Sequence, residues 1–421
     1  MRVERLGGGG TPAAVLRTLA RVNAERGMPG PAALIGDWFG ARAVLAPAVT
    51  TRPVDPRNAF DIPTHRPRVE SRPPGEKPSA TIGGGWIGYR SYPDLPADGR
   101  RPPLPEAAGG WTDSVLRLDD DGCWWYESLT DAHCPPHWAE AVTVPDSAHT
   151  PWHIDWTPPD RAAHRSGVLQ CLDAIAAGEV YQACVCGQFT GCVTGDPLHF
   201  FADAAEATRP ARAAYLHGEW GAVASLSPEL YLARHGNRVT SSPIKGTLSI
   251  DADPNELRAS VKDVAENVMI VDLVRNDLGH LAVPGSVTVT DLLGVHPAPG
   301  VWHLVSTVTA TVPPDTGTPD LFDASFPPAS VTGCPKHRAR QLLSAWEPNP
   351  RGVYCGTVGF ASPLAGTELN VAIRTVEFDP NGNATLGVGG GITIDSDPDA
   401  EWQECLDKAS SILALRTGAL P

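Results

Sequence analysis

The order of apolar and polar residues predicts a chain that mixes helices with antiparallel strands. Apolar residues repeat every three or four positions in some segments, which predicts helices, over residues 13–24, 160–177, 255–278, 336–345 and 398–418. They alternate with polar residues in others, which predicts strands, over residues 111–129, 180–193, 231–239, 301–312, 356–361, 369–378 and 384–388. Residues 132–159, which carry prolines and histidines, are expected to be irregular. The fold class that follows is α+β, with the helices on the outside.

The predicted helix over residues 255–278 has the most regular pattern. Asp253 can cap it, Pro254 suits its first turn and Gly279 marks its end. Its apolar stripe is formed by Leu257, Val261, Val264, Val268 and Val271. Glu266 lies only two residues from this stripe, and its position alone indicates a half-exposed glutamate.

Composition and charge narrow the function classes. The 421 residues are 42% apolar and 19% charged, as is typical of a soluble globular protein. A net charge of −15 without a dense Lys/Arg run argues against a nucleic-acid partner, and an anionic substrate would need a locally basic site. We find no apolar run near the ~20 residues that span a bilayer and no signal-peptide core. We therefore expect a cytoplasmic protein that does not associate with membranes.

A single lysine stands between two glutamates in the centre of the chain. Lys245 follows Pro243, which fixes its own φ, and precedes Gly246, which allows the backbone to approach a bound group. Glu229 and Glu266 flank this turn in sequence. Such residues can hold an amine beside carboxylates that transfer protons or bind a hard metal ion. The alternative is a lysine that only pairs with a nearby glutamate.

Three charged residues share one face of the last predicted helix. Glu401 and Glu404 lie one turn apart, and Lys408 follows four residues later. Glutamates are common in a first turn because of the helix dipole, so a solvated helix end is the alternative interpretation. If Glu266 joins these two acids in space, the three could bind Mg²⁺, which takes few carboxylates and adds water and substrate oxygens.

Six motifs give the chain a resemblance to a known family. In chain order they are SPE at Glu229, PIKGT at Lys245, HLVS at His303, TG-PK at residues 332–336, AIRT at Arg374 and DSDP at residues 395–398. In this order, over residues 160–415, they resemble the chorismate-utilising enzymes, which include anthranilate synthase component I and the isochorismate and salicylate synthases. Residues 1–155 match only weakly, through residues 84–89.

The resemblance implies one intertwined domain over residues 1–421. In it, antiparallel sheets face each other over a central cleft and helices flank them, and residues 160–418 form the chorismate-binding part. The chain departs from the family where residues 248–250 (Leu-Ser-Ile) follow PIKGT in place of Arg-Pro-Arg. The connection from PIKGT to the next helix is also shorter than in the family. We therefore expect the part of the chain that covers the site to differ from the family's.

The resemblance also implies metal-binding and substrate-binding residues. The acids that match Glu266 and Glu404 hold a Mg²⁺ ion that binds the ring carboxylate of chorismate. The residue that matches Glu401 contributes directly or through water, and the lysine that matches Lys408 helps to neutralise the carboxylate. The enolpyruvyl carboxylate is expected to bind a set made of Tyr354, Arg374 and the backbone N–H groups of a turn at Gly389, Gly390 and Gly391. For the three glycines the alternative is an ordinary glycine-rich turn.

The PIKGT motif is similar to that of the family branch that aminates chorismate at C4. The anthranilate-forming branch carries alanine in place of this lysine. The resemblance implies that Lys245 is a nucleophile that adds at C2 while the C4 hydroxyl leaves, with Glu229 as general acid. A buried lysine near other cations would be neutral enough to attack. Gly246 and Thr247 match contacts to the ring carboxylate. His303 matches a histidine that lines the ring near C4, although a lone histidine on a strand is more often a core residue.

Gln182 favours ammonia as the second reactant. Relatives that use water carry a lysine at the matching position, and glutamine cannot deprotonate water. The chain has no Cys-centred G-x-C-x-G motif of a glutaminase, so ammonia is expected from solution or from a separate glutamine amidotransferase subunit. The alternatives are amination at C2, which gives anthranilate or 2-amino-2-deoxyisochorismate, and a non-catalytic scaffold that binds a glutaminase.

Overall fold

Helices and antiparallel strands make up the structure, a computed structural model that describes residues 1–62, 81–94, 99–145 and 150–415. Every strand pair in these residues is antiparallel. The predicted α+β class is confirmed. No helix among the described residues is long and apolar enough to cross a membrane.

The helices are spread along the chain. In order they are α1 (Pro12–Glu25), α2 (Pro136–Thr143), α3 (Arg161–Ala176), α4 (Pro197–Thr208), α5 (Asn255–Ala259), α6 (Val261–Gly279), α7 (Thr318–Ser325), α8 (Lys336–Trp346) and α9 (Pro398–Leu413). The end predicted for the last helix, residue 418, lies outside the described residues.

The strands are spread along the whole chain. The first ten are β1 (Arg2–Gly7), β2 (Ala32–Trp38), β3 (Ala41–Ala46), β4 (Arg52–Pro53), β5 (Gly85–Arg90), β6 (Ala107–Thr112), β7 (Ser114–Leu118), β8 (Trp124–Ser128), β9 (His153–Thr157) and β10 (Gln182–Thr194). The next six are β11 (Arg212–Gly218), β12 (Gly221–Ser227), β13 (Leu230–His235), β14 (Arg238–Ser242), β15 (Ile244–Ser249) and β16 (Thr288–Ala298). The remainder are β17 (Val301–Thr311), β18 (Gly333–Cys334), β19 (Thr357–Ser362), β20 (Gly366–Asn370), β21 (Thr375–Phe378) and β22 (Asn383–Ile392).

These strands form two large sheets. The larger has the order β1-β8-β7-β3-β2-β11-β12-β21-β22-β10-β18, with β9 beside β10. The smaller has the order β15-β17-β14-β13-β20-β19-β5-β6-β4, with β16 beside β17. Each sheet therefore combines strands from the N-terminal third with strands from the rest of the chain.

Apolar layers hold the sheets and helices together. One core joins the facing sides of the two sheets, where Leu34 and Val223 of the larger meet Tyr89 and Phe360 of the smaller. A second core joins the outer face of the larger sheet to α1, α4 and α9. A third joins the smaller sheet to α6 and α7. The order helices, sheet, sheet, helices is the layered arrangement expected from the sequence.

The helix predicted over residues 255–278 is interrupted. It breaks at Ser260, whose hydroxyl accepts a hydrogen bond from the N–H of Asp263 and so starts α6. The predicted apolar stripe is wrong in part, because Val261 is 85% exposed. The buried face of α6 instead includes Glu266 and Asn267. A polar residue can be buried here because α6 borders a polar cleft between the sheets.

Other predicted segments also differ from the structure. The strand expected over residues 231–239 is the hairpin of β13 and β14. The strand expected over residues 369–378 separates into β20 of the smaller sheet and β21 of the larger. The chain crosses between the sheets through residues 371–374, where Arg374 adopts a positive φ of 51°. Residues 132–159, expected to be irregular, contain α2 and β9. The alternation of side chains cannot show that a strand changes sheets, because it continues through the bend.

Candidate active site

A cavity of about 550 Å³ opens between the two sheets and collects most of the predicted site residues. Its walls come from both sheets, from α6 and from α9. The predicted residues that line it are Glu229, Lys245, Gly246, Thr247, Glu266, His303, Tyr354, Arg374, Gly389, Gly390, Gly391, Glu404 and Lys408. Gln182 and Glu401 do not line it and lie behind its wall. This volume suits a small organic acid.

Arg374 is an unpaired cation at one end of the cavity. In the part of the chain that the structure describes, its guanidinium has no ion-pair partner, and burial lowers its pKa. The neighbouring Tyr354 packs its ring flat on Gly387, where a Cβ atom would come within 2.1 Å of a ring carbon. An arginine always remains charged in a protein, so this end is built to receive a carboxylate.

The three glycines at 389–391 lie in a strand and not in the turn that was expected. They belong to β22, which pairs along its length with β10. The other neighbour, β21, pairs only as far as Leu386. From Gly387 onward, the edge of β22 that faces the cavity has no partner strand in the described residues. Backbone N–H groups on such an edge are available to a bound anion.

Gly390 also makes room for acids from α9. A Cβ atom there would lie 3.0 Å from Glu401 Oε2 and 3.9 Å from Glu404 Oε1. Lys408 Nζ donates to Gly389 O over 2.9 Å and lies 2.7 Å from Glu404 Oε1. A side chain at Gly390 would therefore crowd Glu401, whereas Glu404 lies at ordinary contact distance.

Each of the three predicted metal ligands is paired with a lysine. Besides the pair of Glu404 with Lys408, Lys245 Nζ lies 3.6 Å from Glu266 Oε2 and Lys262 Nζ lies 3.3 Å from Glu401 Oε1. Burial raises the pKa of Glu266 although lysines oppose the shift. In Glu404, burial is outweighed by the lysines, so its pKa is lowered.

The acids do not stand as a ready-made metal cluster. Within the described ranges, no three His, Cys, Asp or Glu side chains lie close enough together to hold an ion, because each acid is turned towards a lysine. The donor set nevertheless fits a hard cation. Glu401 is 2% exposed, and its Oε2 atom has no hydrogen-bond partner. Hard cations such as Mg²⁺ take oxygen ligands of this kind.

The environment of Lys245 differs from the one expected. We predicted that neighbouring cations would keep the amine neutral. Burial does oppose its charge, but Cys184, Glu266 and Glu229 outweigh burial and raise the pKa of Lys245. Near neutral pH this lysine therefore carries its proton, with Glu266 as its ion-pair partner.

Glu229 has the properties of a proton donor. It is 3% exposed, and burial raises its pKa to about 7, although Ser330 and Lys245 oppose the shift. The hydroxyl of Ser330 donates to Glu229 Oε1 over 2.6 Å. A carboxyl that is half protonated near neutral pH is matched to general acid catalysis.

His303 and Thr247 form a pair on the cavity wall. Thr247 Oγ1 lies 3.0 Å from His303 Nδ1. Burial, followed by the nearby Arg374, lowers the pKa of His303 to about 4, so the ring is neutral near pH 7. His303 therefore lines the cavity as a neutral polar group and is not only packed in the core. Gly246, beside this pair, adopts a φ of +90° that favours glycine.

Gln182 is fully buried behind the strand edge. It is 0% exposed, and both its side-chain oxygen and nitrogen lack a hydrogen-bond partner. A Cβ atom at Gly391 would lie 2.4 Å from Gln182 Nε2 and 3.1 Å from Lys245 Nζ. The amide is therefore separated from the lysine by little more than a glycine, although it does not form part of the cavity surface.

Sequence reasoning missed two residues of the site. Lys262 lines the cavity and pairs with Glu401. Its position, four residues before Glu266, puts both on one helical face and could have revealed it. Ser330, which binds Glu229, had no signal, because 101 residues separate the two.

Solved structures identify the fold. The chain superposes on anthranilate synthase component I from Streptococcus pneumoniae TIGR4 with a TM-score of 0.69 and 23% identity, covering 98% of this chain and 92% of that one. For MenF, the menaquinone-specific isochorismate synthase of Escherichia coli, the TM-score is 0.70 at 18% identity, covering 98% and 94%. The chain thus has the fold of the anthranilate and isochorismate synthases.

The family follows from sequence comparison. A family model described as chorismate binding enzyme matches residues 50–414. Aminodeoxychorismate synthase component 1 of Escherichia coli K12 is 35% identical over 361 residues, which is 82% of this chain and 80% of the relative. An anthranilate synthase component 1 of Halobacterium salinarum is 36% identical over 269 residues, or 61% and 50%. The chain belongs to the chorismate-binding enzyme family, which confirms the resemblance, and it is an enzyme that uses chorismate.

The pKa of Glu229 leads to a stability prediction. Because its folded-state pKa is raised from 4.5 to about 7, the protonated carboxyl favours folding at low pH, and this contribution is lost as the pH rises through that range. Glu229→Gln cannot titrate. We expect its free energy of unfolding, relative to wild type, to increase by ~2.5 kcal/mol between pH 5 and pH 8. Denaturant unfolding of the metal-free proteins measures this, and an equal difference at both pH values would contradict the assignment.

Proposed function

We propose that this enzyme aminates chorismate at C4 in a Mg²⁺-dependent reaction that gives 4-amino-4-deoxychorismate, the reaction of aminodeoxychorismate synthase component I. The observation that carries the proposal is Lys245, whose amine enters the cavity among Glu266, Glu229 and Cys184. Two relatives named aminodeoxychorismate synthase component 1, from Escherichia coli and Klebsiella aerogenes, are 35% and 36% identical to the chain and support it.

The two ends of the cavity suit the two carboxylates of chorismate. The enolpyruvyl carboxylate binds Arg374, which has no ion-pair partner in the described residues, together with Tyr354 and the open edge of β22. The ring carboxylate lies at the lysine end, where Lys408 and the hydroxyl of Thr247 contact it. These local cations allow a dianion to enter a protein whose overall charge is −15.

Glu266, Glu404 and Glu401 would hold the Mg²⁺ ion, the last through its unpartnered Oε2 atom. The ion would supply positive charge at the ring carboxylate. In the structure these acids form ion pairs with Lys245, Lys262 and Lys408. Glu266 is one of the groups that raise the pKa of Lys245, so a Glu266 that held the ion would raise this pKa less and would leave the lysine amine easier to deprotonate.

The reaction then takes two additions. The neutral Lys245 amine forms a bond to C2, the two ring double bonds shift, and the C4–O bond breaks while Glu229 donates its proton to the departing hydroxyl, which leaves as water. Ammonia next forms a bond to C4, the two double bonds return, and the C2–N bond to Lys245 breaks. The Glu229 carboxylate takes the proton that the new C4 ammonium loses, which restores the acid. His303, neutral near pH 7, lines the ring near C4 without adding charge.

Ammonia rather than water is the second reactant, because the position expected to hold a water-activating base is Gln182. Its neutral amide is buried beside Gly391 and cannot remove a proton from water. The name component 1 of the relatives implies a second component, which we propose is a glutamine amidotransferase that releases ammonia.

Amination at C2 is the second candidate, because anthranilate synthase component 1 of Halobacterium salinarum is also a relative. A third candidate is a scaffold without turnover that binds a glutaminase. Incubation of the purified protein with chorismate, Mg²⁺ and ammonium distinguishes them. We expect loss of chorismate with a C4-amino product. Fluorescent anthranilate would favour attack at C2, and no turnover would favour the scaffold.

Removal of the proposed nucleophile should separate chemistry from binding. We expect Lys245→Ala to lower C4 amination by roughly 10³-fold or more while chorismate binding, followed by calorimetry, stays measurable. Lys262→Ala is the comparison for loss of another lysine from the same cavity. It removes the partner of Glu401 but no bond to C2, so at saturating chorismate and Mg²⁺ it should lower turnover far less than Lys245→Ala. Unchanged turnover in Lys245→Ala would refute the nucleophile.

Removal of one metal-binding charge should change the Mg²⁺ requirement. We expect Glu404→Gln to raise the Mg²⁺ concentration for half-maximal activity by at least about tenfold, because a neutral amide is a weaker ligand. Asp399→Asn is the control on the same helix, where Asp399 bridges Arg161 and Arg165 at the surface. A normal Mg²⁺ titration for Glu404→Gln would exclude Glu404 as a ligand.

A further inference from the structure

The segment that carries Tyr354 is held by an unusual set of hydrogen bonds. Residues 351–355 belong to neither a helix nor a strand, and two carboxylates bind four consecutive backbone N–H groups in it. Asp94 Oδ2 accepts from the N–H groups of Arg351 at 3.0 Å and Gly352 at 3.3 Å. Glu377 Oε1 accepts from those of Val353 at 3.0 Å and Tyr354 at 3.1 Å.

Glu377 is placed where a charge is costly. It is 4% exposed, on β21 between the buried residues Val376 and Phe378. No cation pairs with it among the described residues, and its Oε2 atom has no hydrogen-bond partner. Burial raises its pKa to about 7. Such a group destabilises the fold unless its hydrogen bonds compensate for the lost hydration, so the two bonds from Val353 and Tyr354 are its main compensation.

The backbone around Tyr354 needs such support. Gly352 has a φ of +63°, and Cys355, which is not a glycine, has a φ of +65°. The phenol hydroxyl has no hydrogen-bond partner in the described part of the chain, so it does not fix the ring. The direction of the ring depends on its packing against Gly387 and on the backbone that Glu377 holds.

We propose that Glu377 is a positioning residue for substrate binding: through the N–H groups of Val353 and Tyr354 it fixes the direction in which the Tyr354 hydroxyl meets the substrate carboxylate. This inference rests on the proposed function, in which Tyr354 contacts chorismate. Glu377 itself does not line the cavity, so any effect it has on the substrate is indirect. It can pass through the segment that Glu377 holds or through Arg374, three residues earlier, and only the first route predicts coupling to Tyr354.

The test compares Glu377→Ala, Glu377→Gln, Tyr354→Phe and the double variant Glu377→Ala/Tyr354→Phe. Glu377→Ala should raise KM for chorismate about tenfold and change kcat less than threefold, because it affects binding and not the reacting atoms. Glu377→Gln keeps an oxygen acceptor and should stay within threefold of wild type. Tyr354→Phe should raise KM similarly, and the double variant should match it within about twofold, since coupled residues are not additive.

The chain offers a matched control in Glu127. This residue is 0% exposed, and its Oε2 atom accepts from two consecutive N–H groups, those of Ile82 at 2.6 Å and Gly83 at 3.1 Å, away from the cavity. Glu127→Ala should lower the melting temperature at least as much as Glu377→Ala and leave KM unchanged. An equal rise in KM for both variants would mean that KM only reports lost stability, which would overturn the proposal.

Other outcomes also overturn it. If wild type uses chorismate, an unchanged KM in Glu377→Ala, or additive effects in the double variant, would exclude positioning through Tyr354. If wild type does not use chorismate, the proposed function fails. Hydrogen exchange then tests separately whether Glu377 holds the backbone: equal exchange rates for the Val353 and Tyr354 amides in wild type and Glu377→Ala would exclude this. Should Glu377→Ala not fold, Glu377→Asp, which withdraws the carboxylate by one methylene, carries the same expectations.

Discussion

The arrangement of charge in the cleft is the constraint on which the site depends. Buried ions are tolerated when a partner of opposite sign is close. At one end of the cavity, Glu266 and Glu404 are therefore each paired with a lysine, as is Glu401 behind the wall. At the other end Arg374 faces no acid within the described residues. The proposed function would complete this pattern, because a divalent cation would replace the lysines at the acids and a substrate carboxylate would pair with Arg374. The lysines would then stand where the proposed metal ion binds.

The path of the chain between the sheets places these groups. The chain leaves β20 of the smaller sheet, crosses the cleft and enters β21 of the larger one. Arg374 lies in this crossing with a positive φ, so its side chain is carried by a segment anchored in both sheets. Glu377 follows in β21 and holds the backbone of Tyr354. Arg374 and Glu377 therefore lie in one short stretch of chain, and Tyr354 is connected to this stretch by its hydrogen bond to Glu377.

The fold class and most of the site could be predicted because their signals are local. PIKGT, AIRT and the spacing of Glu401 and Glu404 are contained within single segments. The hydrogen bond from Ser330 to Glu229 could not be predicted, because it joins residues 101 positions apart. The protonated state of Lys245 was also missed, since it depends on which neighbours the fold brings near. Triple glycine indicates a turn by composition, whereas here glycine serves close approach within a strand.

The short β21 has a consequence for the chemistry of the sheet. It leaves a run of β22 backbone groups open in the middle of the larger sheet, beyond Leu386. On an outer edge such groups would invite pairing with other chains and aggregation. Here these backbone groups line the cavity between the two sheets, which admits only a small molecule. In the proposed function, the substrate carboxylate would take the place of a missing strand, and the unpaired edge would not be exposed to other chains.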